Sequence, residues 1–208
     1  GLLCLACTNK KDKSIAYFTG EEWNSLSIDV QSQYAKTGVS IYDDGHTFII
    51  AHGDCKKTDG GMDFKFGGCG KEFFGVKNYK SKPVEFITGY NDTKAIVEQC
   101  KGKEDKYGIL GAPAAEAAWN YKANEYDNLQ WYLPSVSELL IIRRRIEEIN
   151  KFFRYMNAWG SMISYYICWS STLADDISSW YVIMYGGHSY GNYGRDGSGR
   201  VRAVAFAK

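Results

Sequence analysis

The residues of this chain whose types could do chemistry are three histidines (His46, His52 and His188), six cysteines and an arginine run. Nucleophilic catalysis needs a base within reach of a Ser, Cys or Thr, and a third group to orient that base. The histidines are scattered, and no Ser/His/Asp or Cys/His constellation has the spacing for that work. His46 falls in a predicted turn and His52 just past a predicted strand, so both read as solvated residues. Cys4-x-x-Cys7 has redox or zinc-knuckle spacing, yet no second Cys-x-x-Cys or His-x-x-x-His completes a site. No metal, no cofactor and no catalytic residue is therefore expected. Cys55 and Cys69 can close a loop over residues 56–68 in an oxidising compartment, or stay as buried or free thiols. The glycine clusters at 60–61 and 67–70 lack a following Lys-Ser/Thr and a strand-to-helix setting, which excludes a phosphate loop. Arg143, Arg144 and Arg145 read as a solvated face neighboured by Glu147 and Glu148, with an anion site as the lesser reading.

Composition narrows the class. A chain of 208 residues with 45% hydrophobic and 24% charged residues can bury a substantial core. Its 16 tyrosines and 22 glycines against 3 prolines favour β-rich structure with an aromatic surface over a helical bundle. A formal net charge of +1 gives no case for nucleic acid as a partner. No apolar run is long enough to span a bilayer. The segment from Leu2 to Cys7, followed by polar residues to Lys13, fits the tail of a lipoprotein signal with Cys7 lipidated. The apolar piece is too short for a whole signal and Cys4 stands where such signals carry an aliphatic, which favours a plain apolar strand or the cut end of a longer chain; membrane attachment is expected only in the lipidated case. Residues 1–17 thus form an extension or tether, and 18–208 form the domain.

The elements that must position any site follow from local pattern. Thr19 can cap a short helix through Glu21, Glu22 and Trp23. Two β-type runs, 39–42 and 47–51, flank Asp43-Asp44-Gly45-His46 and predict a hairpin. Residues 53–90 read as loop packed by interleaved aromatics. Asn91 or Asp92 can cap a helix through Gln99, and Pro113 opens another through Trp119. Ser135-Val136-Ser137-Glu138 has capping-box spacing, after which Leu139, Ile142, Ile146, Ile149 and Phe153 recur at helical intervals.

The last forty residues differ in kind. Trp180, Val182 and Met184 alternate with Tyr181, Ile183 and Tyr185, so in a strand the first three face the core and the second three face outward. From Tyr185 to Gly199 there are six glycines and three tyrosines. Tyrosine offers a large, stiff, amphipathic contact and glycine permits tight backbone turns. Composition alone leaves two readings open, an antibody-like contact surface and an idle glycine-rich hairpin.

Several motifs together carry a resemblance. Trp131-Tyr132-Leu133-Pro134-Ser135 with Glu138-Leu139, then Trp169-Ser170-Ser171-Thr172, Trp180 and Arg200-Val201-Arg202-Ala203-Val204, are similar to the C-type-lectin-fold variable proteins of diversity-generating retroelements, particularly those of gut Bacteroides and their phages. The upstream segments Glu21-Glu22-Trp23, Gly38-Val39 and Ala112-Pro113-Ala114-Ala115 extend the likeness to most of the chain from Phe18. The resemblance implies an α+β domain with small antiparallel sheets, packed helices and a variable ligand-binding region over about residues 168–202. In that family, residues between the Trp-Ser-Ser motif and the terminal Arg-Val-Arg are altered by adenine-directed mutagenesis. The matching positions here are Ala174, Asp175, Ile177, Ser178, Tyr181, Ile183, Tyr185, His188, Tyr190, Asn192, Tyr193, Asp196 and Ser198. Trp169, Trp180, Val182 and Val201 would hold the scaffold.

The resemblance further implies a non-catalytic receptor-binding or adhesion protein, exposed on a virion or a bacterial cell, whose partner is a cell-surface protein or glycan. Cys168 stands where the family usually carries an aromatic, and the tract before Arg200 is about one residue longer than the usual pattern. The Glu-Pro-Asn and Trp-Asn-Asp signatures of calcium-dependent sugar binding are absent. Two rival functions remain: an enzyme of the formylglycine-generating type, which shares the fold but needs a reactive cysteine pair near the C-terminus, and a pilus or phage-tail component without a ligand.

Overall fold

The computed structural model describes residues 15–16, 27, 38–43, 46–69, 73, 75–76, 87–123, 129–155, 159–186 and 190–206. The expected helix at Thr19–Trp23, Cys4, Cys7 and the turn residues Asp44 and Gly45 lie outside them. The architecture is α+β, with four α-helices and small antiparallel sheets among the described residues.

The largest sheet has five strands in the order β1-β2-β3-β10-β5: β1 (Ile15–Ala16), β2 (Gly38–Asp43), β3 (His46–Ala51), β5 (Trp131–Tyr132) and β10 (Val204–Phe206). The hairpin pairs Asp43 with His46, as the Asp-Gly pattern predicts. β3 is apolar at every position from Phe48 to Ala51 because both faces of the sheet are covered. Side chains alternate across a strand, so Phe48 and Ile50 join one core with Val39, Tyr132 and Val204. Ile49 and Ala51 join a second with Trp131, Ala203 and Ala205. The C-terminal strand β10 lies between β3 and β5 and so closes the sheet.

Helix α1 (Gly89–Cys100) buries Ile96 and Cys100 in the second core. It begins earlier than the sequence suggests: Thr88 is the capping position, and Asp92 lies inside the first turn, buried, accepting a hydrogen bond from Thr88 Oγ1 at 2.5 Å. Helix α2 (Pro113–Trp119) opens on its proline and packs Ala114, Ala115 and Ala118 against the same core.

The capping box forms. Ser135 Oγ accepts from the Glu138 amide at 3.4 Å, and Glu138 Oε2 accepts from the Ser135 amide at 2.6 Å. Glu138 is fully buried, and its second oxygen accepts from the Tyr132 hydroxyl at 2.8 Å. Burial pushes this carboxyl above its ordinary range, although three kinds of donor oppose the rise. The long helix expected from Ser135 to Phe153 is two: α3 (Val136–Arg144) and α4 (Ile146–Tyr155). Arg145, at φ −105° and ψ 11°, ends the first, and its carbonyl accepts from Ile149 in the second. The periodic apolar set stays in one core across the break, since Leu139, Ile142, Ile146, Ile149 and Phe153 are all buried there.

Two smaller sheets complete the frame. β4 (Phe64–Lys65), within the stretch read as loop, pairs with β9 (Ser198–Gly199), matching Phe64 to Gly199 and Lys65 to Ser198. Strands β6 (Ile167–Leu173), β7 (Ser178–Ile183) and β8 (Tyr190–Gly194) form the third sheet in that order. The possible Cys55–Cys69 link is absent: both thiols are free, Cys55 lies in the second core, and Cys69 instead meets Cys100.

Candidate functional site: the β7–β8 face

The site is built outward from β6. From Cys168 to Leu173 every residue of this strand is buried, including three hydroxyl residues. Buried hydroxyls need partners, and two of those here serve as cross-links. Ser170 Oγ donates to the Trp180 carbonyl at 2.8 Å, tying β6 to β7. Thr172 Oγ1 accepts from the Val136 amide at 3.1 Å, tying β6 to the first turn of α3. The Ser171 amide donates to the Pro134 carbonyl at 2.9 Å. Trp169 is held at its indole by the Phe64 carbonyl, 2.9 Å away, and at its backbone amide by the Arg200 carbonyl, 2.9 Å away. The Trp-Ser-Ser-Thr run is therefore the floor of the face.

The terminal Arg-Val-Arg is its anchor. Arg202 is buried, with Nε 2.7 Å from Asp54 Oδ1, and donates to the carbonyls of Ala51 and Ser161, each at 3.1 Å. Arg200 reaches Asp54 Oδ2 and Asp63 Oδ1, each at 3.4 Å. Val201 between them is in the core.

On this floor β7 alternates in burial as the sequence predicts, but Tyr181 packs against the second core and does not face solvent. Trp180, Val182 and Met184 are buried, whereas Tyr181 and Ile183 are half-buried and Tyr185 is 48% exposed. The register matches Val182 to Tyr190 and Trp180 to Asn192, and Tyr181 to Gly191 and Ser179 to Tyr193. Cross-strand partners share a face, so Tyr190 and Asn192 sit on the Trp180 side, and Tyr193 on the Tyr181 side. Ring contacts agree: Tyr190 lies 5.7 Å from Trp180, while Tyr193 lies 6.4 Å from Tyr181 and stacks at 6.1 Å on Trp169. The tyrosines thus flank β8 on both sides.

Glycine is what lets these rings lie down. A Cβ at Gly191 would stand 2.8 Å from the Tyr181 hydroxyl oxygen, and one at Gly197 would stand 1.9 Å from Tyr193 Cε1.

The expected site residues do not all reach the surface. Ala174 is 1% exposed and part of the first core, so it is corrected from contact residue to packing residue. It is held inward because its amide donates to the Ser178 carbonyl across the tight 174–178 turn. Asp175 and Ser178 are half-buried in that turn, where Asp175 Oδ1 accepts from the Ile177 amide at 2.9 Å. Burial opposes ionisation of Asp175, but the Ile177 and Ser178 donors outweigh it and hold the carboxyl below its ordinary range. Ile177, Tyr185, Tyr190, Asn192, Tyr193, Asp196 and Ser198 are exposed. Tyr185 donates to Glu147 Oε1 at 2.8 Å. His188 lies outside the described residues.

Three functional elements went unseen in the sequence. Arg195 reads as one more polar residue of the loop, yet it is 2% exposed, with its guanidinium over the rings of Phe66 and Phe73 at 5.7 and 5.3 Å. Its side chain donates to the Asp175 carbonyl, its amide to the Ile177 carbonyl at 3.0 Å, and its carbonyl accepts from Gly67. It fastens the 174–177 turn to the 195–198 turn. Arg143 is no solvated residue: its Nε donates to the Ile183 carbonyl at 2.9 Å and its Nη2 to the Gly186 carbonyl, fixing the end of β7 to α3. Tyr165, 70% exposed, lies against Gly186 and widens the aromatic surface. The preceding Ser164 and following Tyr166-Ile167 gave no periodic signal for it.

Away from this face, two concavities share His52 and Asp54 in their lining. His52 is half-buried, not solvated, with Nε2 3.0 Å from Ser161 Oγ and its ring edge-on to Phe153. Burial first, and the Arg202 charge second, keep it below the ordinary histidine range. Asp54 faces the two arginines and Tyr166. Among the described residues no group of three or more His, Cys, Asp or Glu is placed to hold a metal ion, and no helix is long and apolar enough to cross a membrane.

No protein-family model, curated protein or solved structure matches this chain.

Proposed function

We propose that the chain is a non-catalytic ligand- or receptor-binding protein with a C-type-lectin-like domain, whose β7–β8 face is a hypervariable surface diversified by a retroelement. One observation carries the reading. Tyr185, just past the end of β7, and Tyr190 and Tyr193, on opposite sides of β8, are 40–48% exposed beside a strand that from Cys168 to Leu173 is wholly buried and cross-linked to a capped helix. Side chains can change on such a face without disturbing the frame, and exposed tyrosines on a fixed backbone lose little entropy on binding. Helices packed on small antiparallel sheets, with the C-terminal strand closing the largest sheet, support the C-type-lectin-like assignment. Ligand contact would come from Ile177, Tyr185, Tyr190, Asn192, Tyr193, Asp196 and Ser198, with a cell-surface protein or glycan as partner. Display on a virion or a cell surface follows from that role.

The cysteine chemistry favours binding over the formylglycine-generating alternative. Cys168 is fully buried, and burial pushes its thiol up to about 12, which suits packing and opposes a thiolate nucleophile. The genomic test is the DNA just downstream of the coding sequence. A near-copy of the 3′ end differing mainly at adenines, beside a reverse-transcriptase gene, is the expected finding. An unduplicated 3′ end and no reverse transcriptase would remove the retroelement from the proposal.

A further inference from the structure

Cys69 and Cys100 are 31 residues apart in the chain, and their sulfur atoms lie 2.9 Å from each other. That is closer than two sulfurs pack without a bond or a shared proton, and it approaches the disulfide length of about 2.05 Å. Cys69 is half-buried and Cys100 fully buried, at the last position of α1. Cys69 is also the described non-glycine residue held at positive φ, +48°, so its backbone is bent to present the side chain to the helix. Neither thiol has work in the β7–β8 face, and among the described residues no third His, Cys, Asp or Glu is grouped with them to hold a metal. What they border is the strut of that face. Three residues before Cys69, Phe66 lies under the Arg195 guanidinium, and Gly67 donates its amide to the Arg195 carbonyl at 3.0 Å.

We propose that Cys69 and Cys100 are a disulfide-forming pair that, once oxidised, clamps the segment seating Arg195 to the end of α1 and so stiffens the support of the 174–177 and 195–198 turns. The oxidant is a disulfide, either oxidised glutathione or the active-site disulfide of a thiol oxidoreductase. The half-buried Cys69 gives up its proton and its sulfur attacks the oxidant, forming a mixed disulfide and releasing one thiol. Cys100 then gives up its proton and attacks the Cys69 sulfur, releasing the second thiol. Two protein thiols and one disulfide become one protein disulfide and two thiols. Cys55 and Cys168, both buried in the cores, stay reduced.

The full chain is incubated with excess oxidised glutathione, blocked with iodoacetamide in denaturant and mapped with trypsin without reductant. The expected result is peptide 66–71 linked to peptide 95–101, with Cys55 and Cys168 alkylated. Wild-type Tm should then be at least about 5 °C higher in the oxidised form than after reduction, and C69S and C100S should show no such oxidised gain. Alkylation of both Cys69 and Cys100 after oxidation overturns the proposal, as does either cysteine paired elsewhere. A 66–71 to 95–101 link with unchanged Tm overturns the clamp.

Discussion

Arg202 Nε stands 2.7 Å from Asp54 Oδ1, with the two side chains 1% and 7% exposed. Asp54 also accepts from the Tyr166 hydroxyl at 3.0 Å and pairs with Arg200, so one carboxylate gathers both arginines of the Arg-Val-Arg motif. Breaking a buried pair by removing one partner leaves the other charged and unmatched, at about 3–5 kcal/mol. Asp54→Asn should accordingly lower stability by that order in urea titrations. Arg200→Gln, where the arginine is itself 29% exposed and its second partner Asp63 is 67% exposed, should lose about 1 kcal/mol or less.

The exposed tyrosines should separate from the frame. The triple variant Tyr185→Ala, Tyr190→Ala, Tyr193→Ala removes rings that are roughly half-exposed, and its thermal melt should shift by no more than a few degrees. Binding to arrayed cell-surface proteins and glycans should disappear. Trp169→Ala, by contrast, empties a fully buried site and should destabilise by about 3–5 kcal/mol. Equal destabilisation by both variants would make the tyrosines core residues and sink the contact-surface reading.

Two glycines offer a subtler test. At Gly197 an added methyl collides with the ring of an exposed tyrosine that can swing away. Gly197→Ala should therefore leave stability within about 1 kcal/mol while displacing Tyr193 from Trp169 and reducing binding as Tyr193→Ala does. At Gly191 the added methyl meets half-buried Tyr181, which is packed against the second core. Gly191→Ala should cost about 1–3 kcal/mol as overpacking does. Paired melts and binding curves of the two variants distinguish them.

Arg195 predicts a linked loss. Arg195→Met keeps much of the volume between Phe66 and Phe73 but removes the donor to the Asp175 carbonyl. The orphaned carbonyl and lost cation–π contact should cost about 1–3 kcal/mol. Hydrogen exchange should rise at the amides of Ala174, Ile177 and Gly197 together, since the two turns are fastened through this side chain. Exchange that rises in one turn alone would place the fastening elsewhere.

How legible these features were depended on how local they are. The Glu138 capping box is a four-residue pattern, and the alternation from Trp180 to Tyr185 is period two, so both could be read directly. Thr88 in place of Asn91 or Asp92 as the cap turned on a tertiary fact, the burial of Asp92 beside Glu138. Ala174 matched a variable pattern, but its burial is decided by the turn back to Ser178 and the core behind it. Arg195 is set among glycines and polar residues that look solvated, and only Phe66 and Phe73, more than a hundred residues earlier, make it a strut. Sequence proximity favoured Cys55 as the partner of Cys69, whereas the helix that ends at Cys100 brings a more distant thiol alongside.

The buried carboxyls at the start of α1 set a pH dependence whose sign follows from one shift. Burial raises Asp92 from 3.8 to about 7, helped by the nearby Glu138 charge and opposed by the Thr88 hydroxyl. The folded state therefore holds this proton more tightly than the unfolded chain does. Its contribution to stability is complete below about pH 4 and is lost as pH rises toward 7. Glu138 is raised as well and acts in the same direction. Asp92→Asn keeps an acceptor for Thr88 without the charge, so it should match the wild type near pH 4 and exceed it at pH 8 by on the order of 1–3 kcal/mol. Urea titrations at pH 4, 6 and 8 check this directly. A constant difference between the two proteins across that range would mean that Asp92 stays ionised in the fold, and that Thr88 and its surroundings stabilise the carboxylate more than burial opposes it.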